Sequence, residues 1–326
     1  MKHSVEAEPP EISVLLATFN GERYLGEQLD SLLEQTVGDC FEIVVRDDGS
    51  TDSTIEILES YRSAHPTRIR LVPFDVRLGA KFNFVRLLGE ARGKYIAFCD
   101  QDDLWQPDKL AIQQRVIEDL ERDHGAETPL LCCSDAAVTD AELRITCPSY
   151  FAKHRLSPVD GRDATLARLL FRNFAIGATV MMNRSLVAQC QCMPEDSIMH
   201  DWWAALVATC LGRVCVLPAA LILYRQHGAN AVGSRTRTMP TTLAAVIDAL
   251  ELSRRRTEAC LRQADALRLA LGTCLTTPQC EVLDRFFEFG RRRWWQRAAT
   301  LVRTRAYKPG LLLNGVHLYA CMTARP

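Results

Sequence analysis

The stretch Lys94-Tyr-Ile-Ala-Phe-Cys-Asp-Gln-Asp-Asp-Leu-Trp-Gln-Pro-Asp-Lys-Leu110 decides the fold. Tyr95 to Cys99 is an apolar run of strand length and reads as a buried strand. Directly behind it, Asp100, Asp102 and Asp103 crowd into four positions. Carboxylates this close repel, so either solvent in an open turn or a cation must compensate them. Pro107 suits the first turn of a following helix. Strand, acidic turn and helix in that order make one unit of an α/β sheet, where ligands sit beyond the carboxyl ends of the strands.

The same unit recurs upstream. Ile12 to Ala17 reads as a buried strand, and Asn20 can cap a helix in which Leu25, Leu29, Leu32 and Leu33 recur at helical spacing. Phe41 to Val45 is a second strand, running into Asp47-Asp-Gly-Ser-Thr-Asp52, where Ser50 or Thr51 caps a helix through Tyr61. Ile69 to Val72 is a third strand, and a helix from Phe82 to Ala91 stops at Gly93, read as a left-handed cap. This alternation implies right-handed crossovers and a mostly parallel, Rossmann-like sheet flanked by helices. Polar clusters close three of the strands: Thr18 to Glu22, Asp47 with Asp48, and Asp100 to Asp103.

Downstream the pattern loosens. Leu130 to Ser134 is strand-like, Asp163 to Arg172 helical and Ala175 to Met182 a strand. His200-Asp-Trp-Trp203 opens an apolar helix ended by Gly212, and strands at Val214 to Leu217 and Leu221 to Tyr224 lead into a loop from Arg225 to Asn230. From about Thr236 the texture changes. A long helical pattern from Leu243 to Leu271 carries Arg254-Arg-Arg256, and Pro278 separates it from a further helix. Between Arg285 and Lys308 eight Arg or Lys face one acid, Glu288. The division expected is a catalytic domain over 11–235 and a helical extension over 236–326.

The chain has 326 residues, 48% apolar and 24% charged, enough for a sizeable core. A net charge of −1 argues against a dedicated nucleic-acid binder. Thirteen cysteines without a repeated C-x-x-C argue against a zinc ribbon and read as reduced, mostly buried thiols. Met1 to Glu11 is polar, so no leader is expected, and no apolar run reaches the length of a membrane span. A cytoplasmic location is therefore expected, at the inner face of the cell membrane if the tail holds it there.

The ordered set Ile12-Ser-Val-Leu-Leu-Ala-Thr-Phe-Asn20, Asp47-Asp-Gly-Ser-Thr-Asp52, Asp100-Gln-Asp-Asp103 and His200-Asp-Trp-Trp203 resembles the inverting glycosyltransferases of family 2, which have the GT-A fold. Tyr224-Arg-Gln-His-Gly228 resembles a bacterial, rhamnosyltransferase-like branch acting in surface-polysaccharide synthesis. The resemblance covers roughly 11–235. It implies nucleotide contacts from Thr18, Phe19, Asn20, Glu22, Asp48, Lys81, Asp100 and Asp102, with Arg77 nearby. Asp47 reads as structural. The D-x-D-type element implies Mg²⁺ or Mn²⁺, held by Asp102 or Asp103, with His227 as a further ligand. Arg225, His200 and Trp202 would contact diphosphate or sugar, and Asp201 would be the general base of an in-line attack. Gln101, Trp105, Trp203 and Gly177 are lesser candidates.

Each of these residues also has a plain structural role open to it. Asn20 and Glu22 can serve a helix start, Asp-Gly-Ser-Thr a tight turn, Asp201 a first-turn acid and the tryptophans the core. The basic tail with Trp294 and Trp295 reads either as a surface helix on anionic lipid or as a solvated face packed through its tryptophans.

The function expected is transfer of one sugar, from dTDP-rhamnose or a UDP-sugar, to a hydroxyl of a growing glycan or lipid-linked glycan. Two other classes remain. A nucleotidyltransferase would want a Gly-rich basic loop where Thr18-Phe-Asn-Gly-Glu22 stands with only Arg23 nearby. A non-catalytic nucleotide-binding scaffold would not need the acids.

Overall fold

A computed structural model describes residues 9–38, 40–157, 165–228 and 243–291. In chain order the elements begin with β1 (Ile12–Thr18), α1 (Leu25–Leu33), β2 (Phe41–Asp47), α2 (Thr54–Ala64), β3 (Ile69–Leu71), α3 (Gly79–Glu90) and β4 (Tyr95–Asp100). There follow β5 (Leu104–Trp105), α4 (Lys109–His124), β6 (Leu130–Thr139), β7 (Ile145–Cys147), α5 (Tyr150–Lys153) and α6 (Leu166–Leu169). A 3₁₀ turn (Gly177–Thr179) precedes β8 (Val180–Asn183), α7 (Arg184–Cys190), α8 (His200–Leu211) and β9 (Arg213–Arg225). The helices α9 (Leu243–Leu271) and α10 (Thr277–Arg291) close the described chain.

The strands form one mixed sheet in the order β3-β2-β1-β4-β8-β6-β9-β5, with β7 on β6. Strands β3, β2, β1 and β4 are mutually parallel, as the alternation requires; β8 then runs antiparallel between β4 and β6, and β9 pairs parallel with β6. Register sets the site: Thr18 lies opposite Asp47 and Ala17 opposite Asp100, so the three polar strand ends are level at one edge.

Side chains alternate across each strand, and both faces are covered, as parallel strands demand. Leu15, Val44, Ile96 and Phe98 face a layer of α3, α6, α7, α8, α9 and α10. Val14, Leu16, Ile43, Val45 and Cys99 face α1, α2 and α4. Each fully buried Leu or Ile contributes about 1.5–3 kcal/mol over exposure. Cys260, Leu261, Ala264 and Leu267 of α9 and Leu283 and Phe286 of α10 join the same cluster as Trp202 and Trp203 of α8.

Several local expectations are corrected. Gly93 is not a left-handed cap: it is absent from the positive-φ residues, and α3 ends with Ala91 in extended conformation. Glycine is needed there because a Cβ would stand 2.4 Å from the Ser13 nitrogen. Asn20 does not cap α1, whose start is bound through Gly21 O instead. Neither Ser50 nor Thr51 caps α2; Asp52 accepts from Thr54 N and Glu22 from Ser53 N. The strand expected from Ala175 begins only at Val180, because Asn173 bonds back to Ala175 and a 3₁₀ turn intervenes. The helix expected over 163–172 is described only as the single turn α6. The two strands expected over 214–224 are one, β9, with its register shifted where Leu217 pairs Ser134 and Ala220 pairs Asp135. Pro218 sits in that irregularity, where a missing N–H is tolerated.

Among the described residues no helix is long and apolar enough to cross a membrane. Trp294, Trp295 and the basic run beyond Arg291 lie outside the described residues, as does the loop from Ala229 to Asn230.

Candidate functional site

At the β1 and β2 ends two loops are tied together by side chains. Asp47 accepts from the Gly49 and Ser50 N–H groups, from the Ser50 hydroxyl and from the Thr18 hydroxyl. Asn20, at φ 47°, takes the Thr51 N–H on its side-chain oxygen and gives its own N–H to Ser50 Oγ. Glu22 and Asp52 exchange bonds between the same two loops. Thr18 is only 2% exposed. Thr18, Asn20 and Glu22 thus build the loop cradle through the Thr18 hydroxyl, the Asn20 side-chain oxygen and one Glu22 carboxylate oxygen.

Asp48 is likewise an anchor. Its carboxylate accepts from Leu78 N and Gly79 N, both at 2.7 Å, and pairs with the buried Arg46 at 3.2 Å. That fixes the loop over 75–79, from which Arg77 lays its guanidinium over the Phe19 ring at 4.0 Å. Lys81 does not reach this edge: its ammonium donates to Glu195 O and Ser197 O.

The acidic turn is divided by strand pairing. Leu104 of β5 pairs with Leu223 of β9, which carries the end of β9 to the D-x-D-type element. Asp103 is fully buried and its Oδ1 accepts the Arg225 N–H at 3.0 Å. Burial, then Asp102 and Asp100, push its carboxyl well above the usual range. Enclosed in the sheet edge, with its Oδ1 taken by the Arg225 N–H, Asp103 is corrected from candidate ligand to structural acid. Arg225 is also corrected. It is 2% exposed, its guanidinium binds Asp102 O, Ala141 O and the Glu27 carboxylate, and it lies over the Tyr24 ring. It locks β5 and β9 onto α1 and does not face a diphosphate.

Asp102 points the other way. Its Oδ2 lies 2.8 Å from His227 Nε2, and Tyr24 backs the imidazole at 4.7 Å. Among the described residues no three His, Cys, Asp or Glu side chains converge as a ready metal cage. A carboxylate and an imidazole in contact, both partly exposed, nevertheless fit an ion that takes its remaining ligands from phosphate and water. Gln101 between the acids pins the Phe19 backbone through both amide atoms. Asp100 is lifted to about 7 by burial, then by Asp102 and Asp201.

Asp201 stands in the first turn of α8, close enough for its charge to act on Asp100. Burial lifts it to about 6, opposed by the Trp202 N–H that it accepts and by the nearby Gly177 N–H and Asn173 amide. The Trp202 bond is 2.6 Å. Its neighbours are corrected to structural roles. His200 is buried, stacked on Phe84 at 3.9 Å and edge-on to Phe98, and burial holds its pKa down at about 3. Trp202 donates its indole N–H to Leu169 O at 2.6 Å. Gly177 gives room: a Cβ would stand 3.1 Å from His200. Trp105 is buried beneath Lys109, and Trp203 is core.

Sequence reasoning missed Tyr150, Tyr224 and Asn173. Tyr224 is pushed up by burial, then by Asp103 and Asp100, so it stands beside the acids. It opens the segment ending at Gly228, a usable signal; Tyr150 and Asn173 carry none.

Residues 13–127 match the family model described as Glycosyl transferase family 2. An uncharacterized protein of Mycobacterium tuberculosis is 27% identical over 218 residues, 66% of this chain, and the chain spans 59% of that relative's length. A dTDP-rhamnosyl transferase, RfbG, of Shigella flexneri is 28% identical over 232 residues, 67% of this chain and 74% of the relative. Among solved structures, Staphylococcus aureus TarS 1-349 in complex with UDP aligns at TM-score 0.56 and 20% identity, over 85% of this chain and 70% of that one. The mannosyltransferase PcManGT from Pyrobaculum calidifontis, in complex with GDP-Man and Mn²⁺, aligns at 0.52 and 18%, over 96% and 86%. With three level strand ends and an acidic turn on β4, the chain has a GT-A-like α/β fold, and its residues 13–127 are similar to Glycosyl transferase family 2.

Proposed function

We propose that the chain is an inverting glycosyltransferase, moving one sugar from a nucleoside diphosphate to a hydroxyl of a growing surface glycan. The observation that carries this reading is Asp201: a partly buried carboxylate, lifted to about 6, whose charge acts on Asp100 at the edge where β1, β2 and β4 end. A base of that pKa is mostly ionised at neutral pH yet takes a proton more readily than a solvated aspartate. In the proposed step the acceptor oxygen bonds to the anomeric carbon as the bond to the diphosphate oxygen breaks. The acceptor proton passes to Asp201, and attack opposite the leaving group inverts the centre.

The loop 75–79, held by Asp48, presents Arg77 and Phe19 to the nucleoside. Asp102 and His227 would hold Mg²⁺ or Mn²⁺. Bound there, the ion would neutralise charge on the departing diphosphate. A rhamnose donor is supported by the likeness to the Shigella relative and by the segment Tyr224 to Gly228; a UDP-sugar is supported by the TarS complex. We infer action at the inner face of the cell membrane, where such donors are available, and a functional division near residue 236.

A thermal-shift panel of nucleotide sugars with and without Mn²⁺ tests the reading, since a ligand stabilises the state it binds. Metal-dependent stabilisation by one donor is expected. No shift with any nucleoside diphosphate would sink it.

A further inference from the structure

The helix α8, which carries Asp201, starts without a side-chain cap, and neither ring nitrogen of His200 has a partner among the described residues. Its first turn is placed from outside, through the loop over 191–199 that leads into it. Ser197 N donates to Pro194 O at 3.0 Å, which closes that loop into a turn. Two helices then hold it. From α3, the Lys81 ammonium donates to Glu195 O at 2.6 Å and to Ser197 O at 2.8 Å. One helical turn on, Phe84 stacks on His200 at 3.9 Å. From α9, the fully buried Gln263 accepts the Ile198 N–H on its Oε1 at 2.8 Å. Beside it, Ala264 and Leu267 join the cluster that includes Trp202 and Trp203. Arg262 also pairs with Asp196 at 3.3 Å, but both side chains are more than half exposed and such a pair holds little. The polar hold is therefore on Glu195 O, Ser197 O and Ile198 N, all within six residues of Asp201. Asp201 itself lies against the Gly177 turn, where an added Cβ would stand 3.8 Å from its own.

We propose that Lys81 and Gln263 are positioning residues for Asp201: together they clamp the loop before α8 and so hold the carboxylate against the Gly177 turn. This rests on Asp201 being the acceptor-side base. A loop backbone shut away from water needs partners in any case. Here the partners are side chains 114 and 65 residues away in the chain, and both grip the segment that feeds Asp201. The base must stay within hydrogen-bond reach of the acceptor oxygen, and a drift of about 1 Å costs on the order of 10²-fold in rate. Such a drift of the α8 start harms proton transfer before it harms the fold. Lys81 lies among the residues 13–127 that match the family and Gln263 outside them, so the clamp ties the helical extension to the catalytic domain.

The test is a double-mutant cycle on the full chain, read by calorimetric melting. Asp201→Asn removes the ionisation of an enclosed carboxyl, so it raises the melting temperature at pH 8 and leaves it unchanged near pH 4. The gap at pH 8 reports how enclosed the carboxyl is. Asp100 at the end of β4 and Tyr150 of α5 are the titratable groups that respond to the Asp201 charge, and both are kept in every variant. Gln263→Met conserves side-chain volume and changes no charge, and Lys81→Met frees the two carbonyls. In each background the gap should fall to about half or less, because a loosened α8 start lets water reach the carboxyl. Gln279→Met, which releases only Cys210 O at the far end of α8, should leave the gap whole. A merely structural loss lowers the melting temperature alike with and without Asp201→Asn, and the gap does not move. The proposal is overturned if the gap stays whole in either Gln263→Met or Lys81→Met, if Gln279→Met shrinks it equally, or if the wild-type background shows no gap. Should Gln263→Met not fold, Lys81→Met, at a half-buried site, decides alone. If the gap behaves as expected but Asp201→Asn keeps near-wild-type turnover, the clamp stands and the base reading fails separately.

Discussion

Replacing Asp201 by Asn should make the protein more stable and less active, and the two effects have one cause. A carboxyl whose pKa is higher folded than unfolded holds its proton more tightly in the folded state. Here the rise is from 3.8 to about 6. The sign follows: below about pH 4 both states are protonated and the group is neutral in the balance. As pH rises from about 4 to 6 the unfolded chain ionises first, so stability is lost, and above about 6 the loss is complete. A rise of this size corresponds to a ceiling of about 3 kcal/mol, and partial exposure reduces it to roughly 1–3 kcal/mol. The amide that replaces the carboxyl cannot ionise, yet its oxygen can still accept the Trp202 N–H.

The variant should therefore melt a few degrees above wild type at pH 8, at roughly 1–2 °C per kcal/mol for a chain of this size, and the gap should close near pH 4. Transfer at pH 8 should fall about 10²–10⁴-fold, the usual worth of a general base. Calorimetric melting across pH 4–8, beside single-turnover transfer, reads both. A variant no more stable than wild type at pH 8, or one that keeps near-wild-type turnover, refutes the argument that burial tunes this carboxylate for catalysis.

Three further perturbations separate structure from function. Arg225→Met should lower stability by about 1–3 kcal/mol in urea unfolding, because it removes a buried guanidinium that binds Asp102 O, Ala141 O and the half-exposed Glu27 carboxylate. Unfolding at wild-type denaturant concentration would return Arg225 to the list of ligand candidates. Asp102→Asn and His227→Ala should each weaken the Mn²⁺-dependent part of nucleoside diphosphate binding about tenfold or more, with little change in melting without ligand. Equal weakening with and without metal would remove the pair from metal binding. Gly93→Ala should cost roughly 2–4 kcal/mol in the same unfolding assay, since its Cβ would meet the Ile12 and Ser13 backbone within 3 Å.

The first half of the fold was legible because its information is local. Buried strands such as 12–18 and 95–100, with helices after each, are written in runs of apolar residues and in spacing. Parallel order follows from the short crossovers. The errors came where side chains bond backbone across distance. Nothing near Asn173 announces that its amide closes on Ala175 and delays the strand to Val180. Gly93 looked like a helix cap because caps are the common reason for such a glycine; the actual reason, the backbone of β1 pressed against it, lies 80 residues away.

The acidic turn makes the limit sharper. Asp102 and Asp103 are adjacent, identical in type and inseparable by any rule of spacing, yet one faces outward to His227 and the other inward to the Arg225 N–H. Pairing of the two-residue strand β5 with β9 divides them, because consecutive residues at a strand point to opposite sides. The partner arrives from more than 120 residues downstream. The same pairing sorts Arg225 from His227: the first is drawn under the sheet edge to hold it together, the second is left at the surface beside Asp102. A motif thus marks where a strand end lies and which chemistry is available there. Which of its residues face a substrate is decided by the strand that comes to lie beside it. For this chain that strand is β9, so changes at Leu104 or Leu223 that shift the β5–β9 register should uncouple Asp102 from His227 without altering a single charged residue.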